Sequence, residues 1–229
     1  MVVLMPFCHF ALLPYDYPMN FLVLSSSRGT TFQATLDRIS DGSLKSTCIG
    51  LISDSPDRGC IQKANAAGIP VSIVEKRKDE SREEYDKRLH QAILDLIKQS
   101  PDPRHLIPDP RNDAVIACMG WLKILSPWFV LQIPNRILNV HPALLPKFGG
   151  EGMFGHHVHD AVLKAKEKES GITIHLVNDG VDTGKVLLQK SCPVLPDDTA
   201  STLQARVQEL EKEWYPKLLQ MIDNGSLRL

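Results

Sequence analysis

Short apolar runs alternate with amphipathic stretches of helical period through most of this chain, and few architectures accept that order. NFLVLSS (20–26) leads into an amphipathic segment from Phe32 to Ile39, and CIGLISD (48–54) into one from Asp57 to Ala67. Gly68 stands where a helix C-terminus favours a left-handed residue. IPVSIV (69–74) precedes a long helix from Ser81 to Gln99, where Ser81 and Glu84 form a capping box. Tyr85, Leu89, Ile93, Leu96 and Ile97 give that helix its apolar stripe. A polar, Pro-rich stretch (101–113) reads as a loop, and then come AVIACM (114–119), a helix near Pro127 to Leu131, and RILNVH (136–141). This order predicts an α/β fold: a Rossmann-like, doubly wound, mostly parallel sheet that binds ligands beyond the carboxyl ends of its strands.

The later part changes period. GITIHLV (171–177) and KVLLQKSCPV (185–194) flank a tight NDGVDTG stretch, which predicts antiparallel strands added to one edge. A last helix is expected from Thr199 to Asp223. No repeat, low-complexity tract or linker interrupts residues 19–229, so one domain is expected there, with residues 1–18 a flexible extension. That prefix lacks a basic n-region and is broken by Pro6, Pro14 and Pro18, unlike a secretion signal, and it is too short to span a membrane. No apolar run long enough for a span follows, so a soluble, cytoplasmic protein with no membrane partner is expected.

Composition acts as a filter. With 43% hydrophobic residues in 229 positions, a sizeable core can form. Lys and Arg total 26 against 27 acidic residues, a balance that disfavours a nucleic-acid partner but not a small anionic ligand. The five cysteines (Cys8, Cys48, Cys60, Cys118, Cys192) show neither a CxxC pair nor zinc spacing, which points to a reducing compartment. Cys48, Cys118 and Cys192 lie in strand-like runs and read as small buried hydrophobes.

Four stretches can carry chemistry. SSSRGTTFQ (25–33) lies between a strand and a helix, where small residues let backbone N–H groups face an anion; an ordinary βα turn is the alternative. Asn139 and His141 are two apart at a strand end, so both face the same space. An amide donor beside an imidazole suits a reaction in which an oxygen becomes negative, although a turn cap and a locally bonded histidine would look the same. In DGVDTG (179–184) a carboxylate can fix the tautomer of His141 and favour its charged form, or the loop can be a plain hairpin turn. His156, His157 and His159 follow Gly149, Gly150, Gly152 and Gly155. Without an acidic or cysteine ligand pattern they read as part of a mobile, ligand-covering loop over 149–159 rather than as a metal site.

Together these blocks resemble the folate-dependent formyltransferases. The resemblance rests on ILNVHPALLPKFGG and SGITIHLVNDGVDTGKVLLQ, with LVLSSSRGTTFQATLD, SREEYDKRL, GWLKILSPWFV and RVQELEKEWYP in order around them. It covers the chain from about Asn20 to Leu227 and is nearest to the branch that formylates glycinamide ribonucleotide. It implies 10-formyltetrahydrofolate as co-substrate, no metal, and a monomer or weak dimer working in de novo purine biosynthesis.

Carried over by position, Asn139, His141 and Asp182 are the implied catalytic group. Asn139 and His141 would stabilise a tetrahedral oxyanion, while Asp182 would raise the His141 pKa and assist proton transfer; His175 supports Asp182. Gly29, Thr30 and Thr31 are implied for the substrate phosphate, with Gln208 and Glu211 at its ribose or glycinamide end. Leu122, Ile124, Leu125 and the loop Asn178, Asp179, Gly180, Val181 would line the folate pocket, with Arg82 and Lys123 meeting its anionic tail. Lys123 stands where an arginine is frequent, and Thr31 where an asparagine is. A formyltetrahydrofolate hydrolase and an inactive folate-binding module are the alternatives on the same fold. All three of Asn139, His141 and Asp182 are present, which speaks for the transferase.

Overall fold

The computed structural model describes residues 18–100 and 114–229. The expected N-terminal extension, Pro18 apart, and the Pro-rich stretch 101–113 lie outside them. In chain order the elements are β1 (Asn20–Ser25), α1 (Thr30–Ser40), β2 (Thr47–Ser53), α2 (Gly59–Ala66), β3 (Val71–Ile73) and α3 (Arg82–Gln99). Then follow β4 (Val115–Cys118), α4 (Pro127–Gln132), β5 (Ile137–His141), α5 (His156–Lys164), β6 (Glu169–Leu176), β7 (Val186–Pro193) and α6 (Ala200–Asp223).

One seven-stranded sheet runs in the order β3-β2-β1-β4-β5-β6-β7. The first five strands are parallel, and β6 and β7 each run antiparallel to the strand before them, as the change of period predicted. Side-chain alternation sorts the two faces. Phe21, Val23, Ala117, Leu138, Val140, Ile172 and Ile174 join one core with α1, α2, α5 and α6. Leu22, Leu24, Ile52, Ile116, Cys118 and Ile137 join the other with α3 and α4.

Local signals explain where the helices begin. The Ser81 hydroxyl accepts the Glu84 N–H (3.2 Å), and the Glu84 carboxylate accepts the Ser81 N–H (2.9 Å), closing the capping box that starts α3. Thr199 and Thr202 do the same for α6. Gly68 takes φ +68° just past α2.

One expectation needs correction. Residues 156–159 are not loop but the first turn of α5. Val158, His159 and Val162 bury one face of that helix, a spacing hidden in the sequence by the run of glycines and histidines before it.

The distribution of helices sets up the site. Helices α3 and α4 cover their face of the sheet over β1, β2 and β4 and at the start of β5. Farther out on that face stand Asn139 and His141 from β5 and Thr173 and His175 from β6, covered by loops.

Candidate active site

The sheet changes winding direction between β1 and β4. The chain leaves β1 toward α1 on one face and leaves β4 toward α4 on the other, which opens a crevice at their carboxyl ends. The two loops flanking it are stitched together. Ser26 N–H donates to the Gly120 carbonyl (3.0 Å), the Ser25 hydroxyl to the Met119 carbonyl (2.8 Å), and Leu122 N–H to the Ser26 hydroxyl (3.4 Å).

On the β1 side Gly29 is the N-cap of α1 with φ +75°, and it offers no side-chain cap. A Cβ on Gly29 would lie 2.9 Å from Cys60 Cα and Cβ, so backbone packs on backbone here. The first turn of α1, which carries Thr30 and Thr31, contains no acidic residue and presents the positive end of the helix dipole. The Thr31 hydroxyl donates to Glu211 Oε2 (3.1 Å) from α6. Burial pushes the Glu211 carboxyl up to about 7, although the Thr31 bond and Lys212 pull it down. Gln208 stands half-buried one turn earlier on α6.

On the β5 side four side chains converge. Asn139 and His175 are cross-strand partners, and Asn139 Nδ2 donates to His175 Nε2 (3.2 Å). The other ring nitrogen, Nδ1, donates to the Leu176 carbonyl (2.9 Å), which fixes the tautomer. Asp182 reaches in from the β6–β7 loop, with Oδ2 3.3 Å from His141 Nδ1 and Oδ1 3.6 Å from His175 Nε2. It holds φ +57°, a conformation asparagine and aspartate tolerate better than most residues, and it accepts the Gly150 N–H (3.0 Å).

His141 Nε2 donates to the Phe148 carbonyl (2.7 Å), so both ring nitrogens face acceptors and only the protonated ring satisfies both. Burial nevertheless holds the His141 pKa below the usual histidine range. Asp182 and the Phe148 carbonyl raise it without overcoming that cost, and His175 lowers it further. The expected net upward shift is thereby corrected: in this pocket desolvation outweighs the carboxylate. Burial also disfavours the Asp182 carboxylate, but the neighbouring His175 and His141 rings and the Gly150 N–H more than offset this and hold it below the ordinary carboxylate range.

The remaining named residues fall into place unequally. Leu122 is exposed and Ile124 half-buried, both beside the crevice, whereas Leu125 is packed into the core with Phe129 and Ile137. Lys123 lies 3.4 Å from Asp54 Oδ2. Arg82 is exposed on the first turn of α3, one turn before Asp86, whose Oδ2 accepts the Ser126 N–H. Asn178 Oδ1 accepts the Gly180 N–H (3.2 Å) and the Thr183 hydroxyl (2.9 Å), which tightens the loop through Asp179, Gly180 and Val181 that delivers Asp182. Among the described residues no group of three or more His, Cys, Asp and Glu side chains is arranged to hold a metal.

A formyl transferase family model matches residues 19–219. The chain belongs to the formyl transferase family. It is 33% identical to the phosphoribosylglycinamide formyltransferase of Escherichia coli over 211 residues, covering 92% of this chain and 90% of that protein. It is 35% identical to the trifunctional purine biosynthetic protein adenosine-3 of Drosophila melanogaster over 89% of this chain, but spans only 14% of that longer protein. Among solved structures, glycinamide ribonucleotide transformylase 1 from Symbiobacterium toebii superposes with a TM-score of 0.79 at 28% identity, covering 93% of this chain and 92% of that one.

Within this family member, sequence reasoning missed the supports of the convergent group. The Thr173 hydroxyl donates to the Ala143 carbonyl (2.7 Å) and accepts the Leu145 N–H (3.0 Å). Gln189 Nε2 donates to the Leu145 carbonyl (2.8 Å) and to Thr173 Oγ1 (2.9 Å). These bonds clamp the loop that carries Phe148 and Gly150. A signal was available: Thr173 and His175 are two apart, so a strand places them on the same side.

Proposed function

We propose that this chain transfers a formyl group from 10-formyltetrahydrofolate to the primary amine of glycinamide ribonucleotide, the purine-pathway reaction for which its relatives are named. The observation that carries the reading is the convergence of Asn139, His141, His175 and Asp182, linked by contacts of 3.2 Å (Asn139–His175), 3.3 Å (His141–Asp182) and 3.6 Å (His175–Asp182) on a face of the sheet covered by loops.

Attack of the amine on the formyl carbon puts negative charge on the formyl oxygen. The Asn139 amide has one hydrogen left after serving His175, and the His141 ring can give a second. Each donor aimed at such an oxyanion is worth roughly 3 to 4 kcal/mol. The Nε2 proton is held by the Phe148 carbonyl, so a substrate oxygen takes it by displacing that carbonyl, a shift the flanking Gly149 and Gly150 can absorb. Asp182 holds His141 in register and balances its positive charge. The ammonium proton formed on the attacking amine must reach the departing folate nitrogen, and His141 is placed to relay it. No net proton is consumed.

The acceptor's phosphate suits the uncapped first turn of α1 at Gly29, Thr30 and Thr31, with Gln208 and Glu211 beside its sugar. The donor suits the crevice edged by Leu122, Ile124 and the loop from Asn178 to Val181. A donor labelled in its formyl carbon tests this reading. Label recovered on glycinamide ribonucleotide supports transfer. Label recovered as free formate, with or without the amine, would replace transfer by hydrolysis.

A further inference from the structure

Asp54 is a carboxylate at the crevice that the proposed chemistry leaves unused. It follows the last residue of β2, and its side chain is 6% exposed. It takes two bonds from Arg58, Nε to Oδ1 at 3.0 Å and Nη2 to Oδ2 at 3.4 Å. Its Oδ2 also lies 3.4 Å from Lys123 Nζ. The same ammonium stands 5.5 Å from the centre of the Tyr85 ring, which is fixed by its hydroxyl donating to the Val74 carbonyl (2.8 Å). Lys123 is therefore held between a carboxylate and a ring face, at the rim where the donor's anionic tail would pass. Burial opposes the ionisation of Asp54, but Arg58 and Lys123 outweigh it and keep the group ionised.

We propose that Asp54 is a positioning residue that sets donor specificity: it neutralises Lys123 and so weakens the reading of carboxylates on the tail of the formyl donor. The inference rests on the formyl-transfer reading above. It predicts little discrimination between donors carrying one tail glutamate and donors carrying several, because the tail must compete with Asp54 for Lys123.

Steady-state kinetics with 10-formyltetrahydrofolate bearing one or several tail glutamates tests it. Asp54→Asn keeps an acceptor for Arg58 while removing the charge. It should lower KM for the longer donor by about threefold or more, with kcat within about twofold, and the gain should fade as salt is raised. Arg58→Gln turns the whole Asp54 charge toward Lys123 and should move KM the other way. In a Lys123→Gln background Asp54→Asn should change nothing, an outcome that a merely structural role for Asp54 would not produce. Asp54→Asn with an unchanged KM, or the same KM change with and without Lys123, overturns the proposal and leaves the transferase reading standing. Wild-type protein that neither turns over nor binds the donor removes the transferase reading, and this proposal with it.

Discussion

The two ends of the crevice are built differently. At the β1–α1 end the candidate anion site is made of backbone: a left-handed Gly29, an uncapped helix turn, and a close approach to Cys60 that leaves no room for a Cβ. At the β5–β6 end the chemistry is made of side chains, with Asn139, His141, His175 and Asp182 bonded to one another and to nearby backbone groups. The first end should therefore tolerate side-chain changes that spare its backbone. The second should fail on a change of one atom.

The largest effect is expected at the side-chain end. Asp182→Asn keeps the shape and suits φ +57°, but removes the carboxylate that orients His141 and favours its charged form against burial. Transfer should fall by a factor of about 10² to 10⁴ while the melting temperature stays near that of the wild type. Near-normal turnover would take Asp182 out of the mechanism.

Gly29→Ala breaks the other end through the backbone. The new methyl meets Cys60 at 2.9 Å in a left-handed conformation, so a loss of about 1 to 3 kcal/mol in stability and a higher acceptor KM are expected. An unchanged denaturation midpoint would show that the loop has room to move.

A milder change at the same end is Thr31→Val, which removes the hydroxyl donated to Glu211. Acceptor KM should rise by roughly threefold to tenfold with donor KM unchanged. Equal rises for both substrates would argue against a phosphate role.

The smallest effect is one of pH. The folded pKa of Glu211, pushed up to about 7, lies above its unfolded value of 4.5. Any stability from this group is therefore present below pH 4.5 and lost as the pH rises through 7. Glu211→Gln escapes that loss, so its melting temperature should exceed that of the wild type by several degrees at pH 8 and match it at pH 4. A gap that is the same at both pH values would show that Glu211 does not titrate in this way.

The contrast also explains what could be read from the sequence. Asn139, His141 and their strand were legible because residue type and period two both survive in a string of letters. The capping box at Ser81 and the antiparallel pair β6–β7 were legible for the same reason. The convergence of Asp182 on His141 needed the resemblance, since a DG-rich loop is equally a plain turn until its fold-back is seen. Helix α5 was hidden by glycines and histidines, and its buried face rests on Val158, His159 and Val162. The depressed pKa of His141 was not legible, because burial depends on how the loop through Phe148 closes over the ring. The Asp54–Lys123 pair joins residues from the segments that follow β2 and β4, and no local pattern announces it.

The central claim is that the group around His141 moves a formyl unit to an amine. Its most direct test is the absorbance change as 10-formyltetrahydrofolate is consumed, measured for the wild type and Asp182→Asn with and without glycinamide ribonucleotide. Consumption that requires both the amine and Asp182 is the predicted result. Donor loss at the same rate without the amine, or at the wild-type rate in Asp182→Asn, would contradict it.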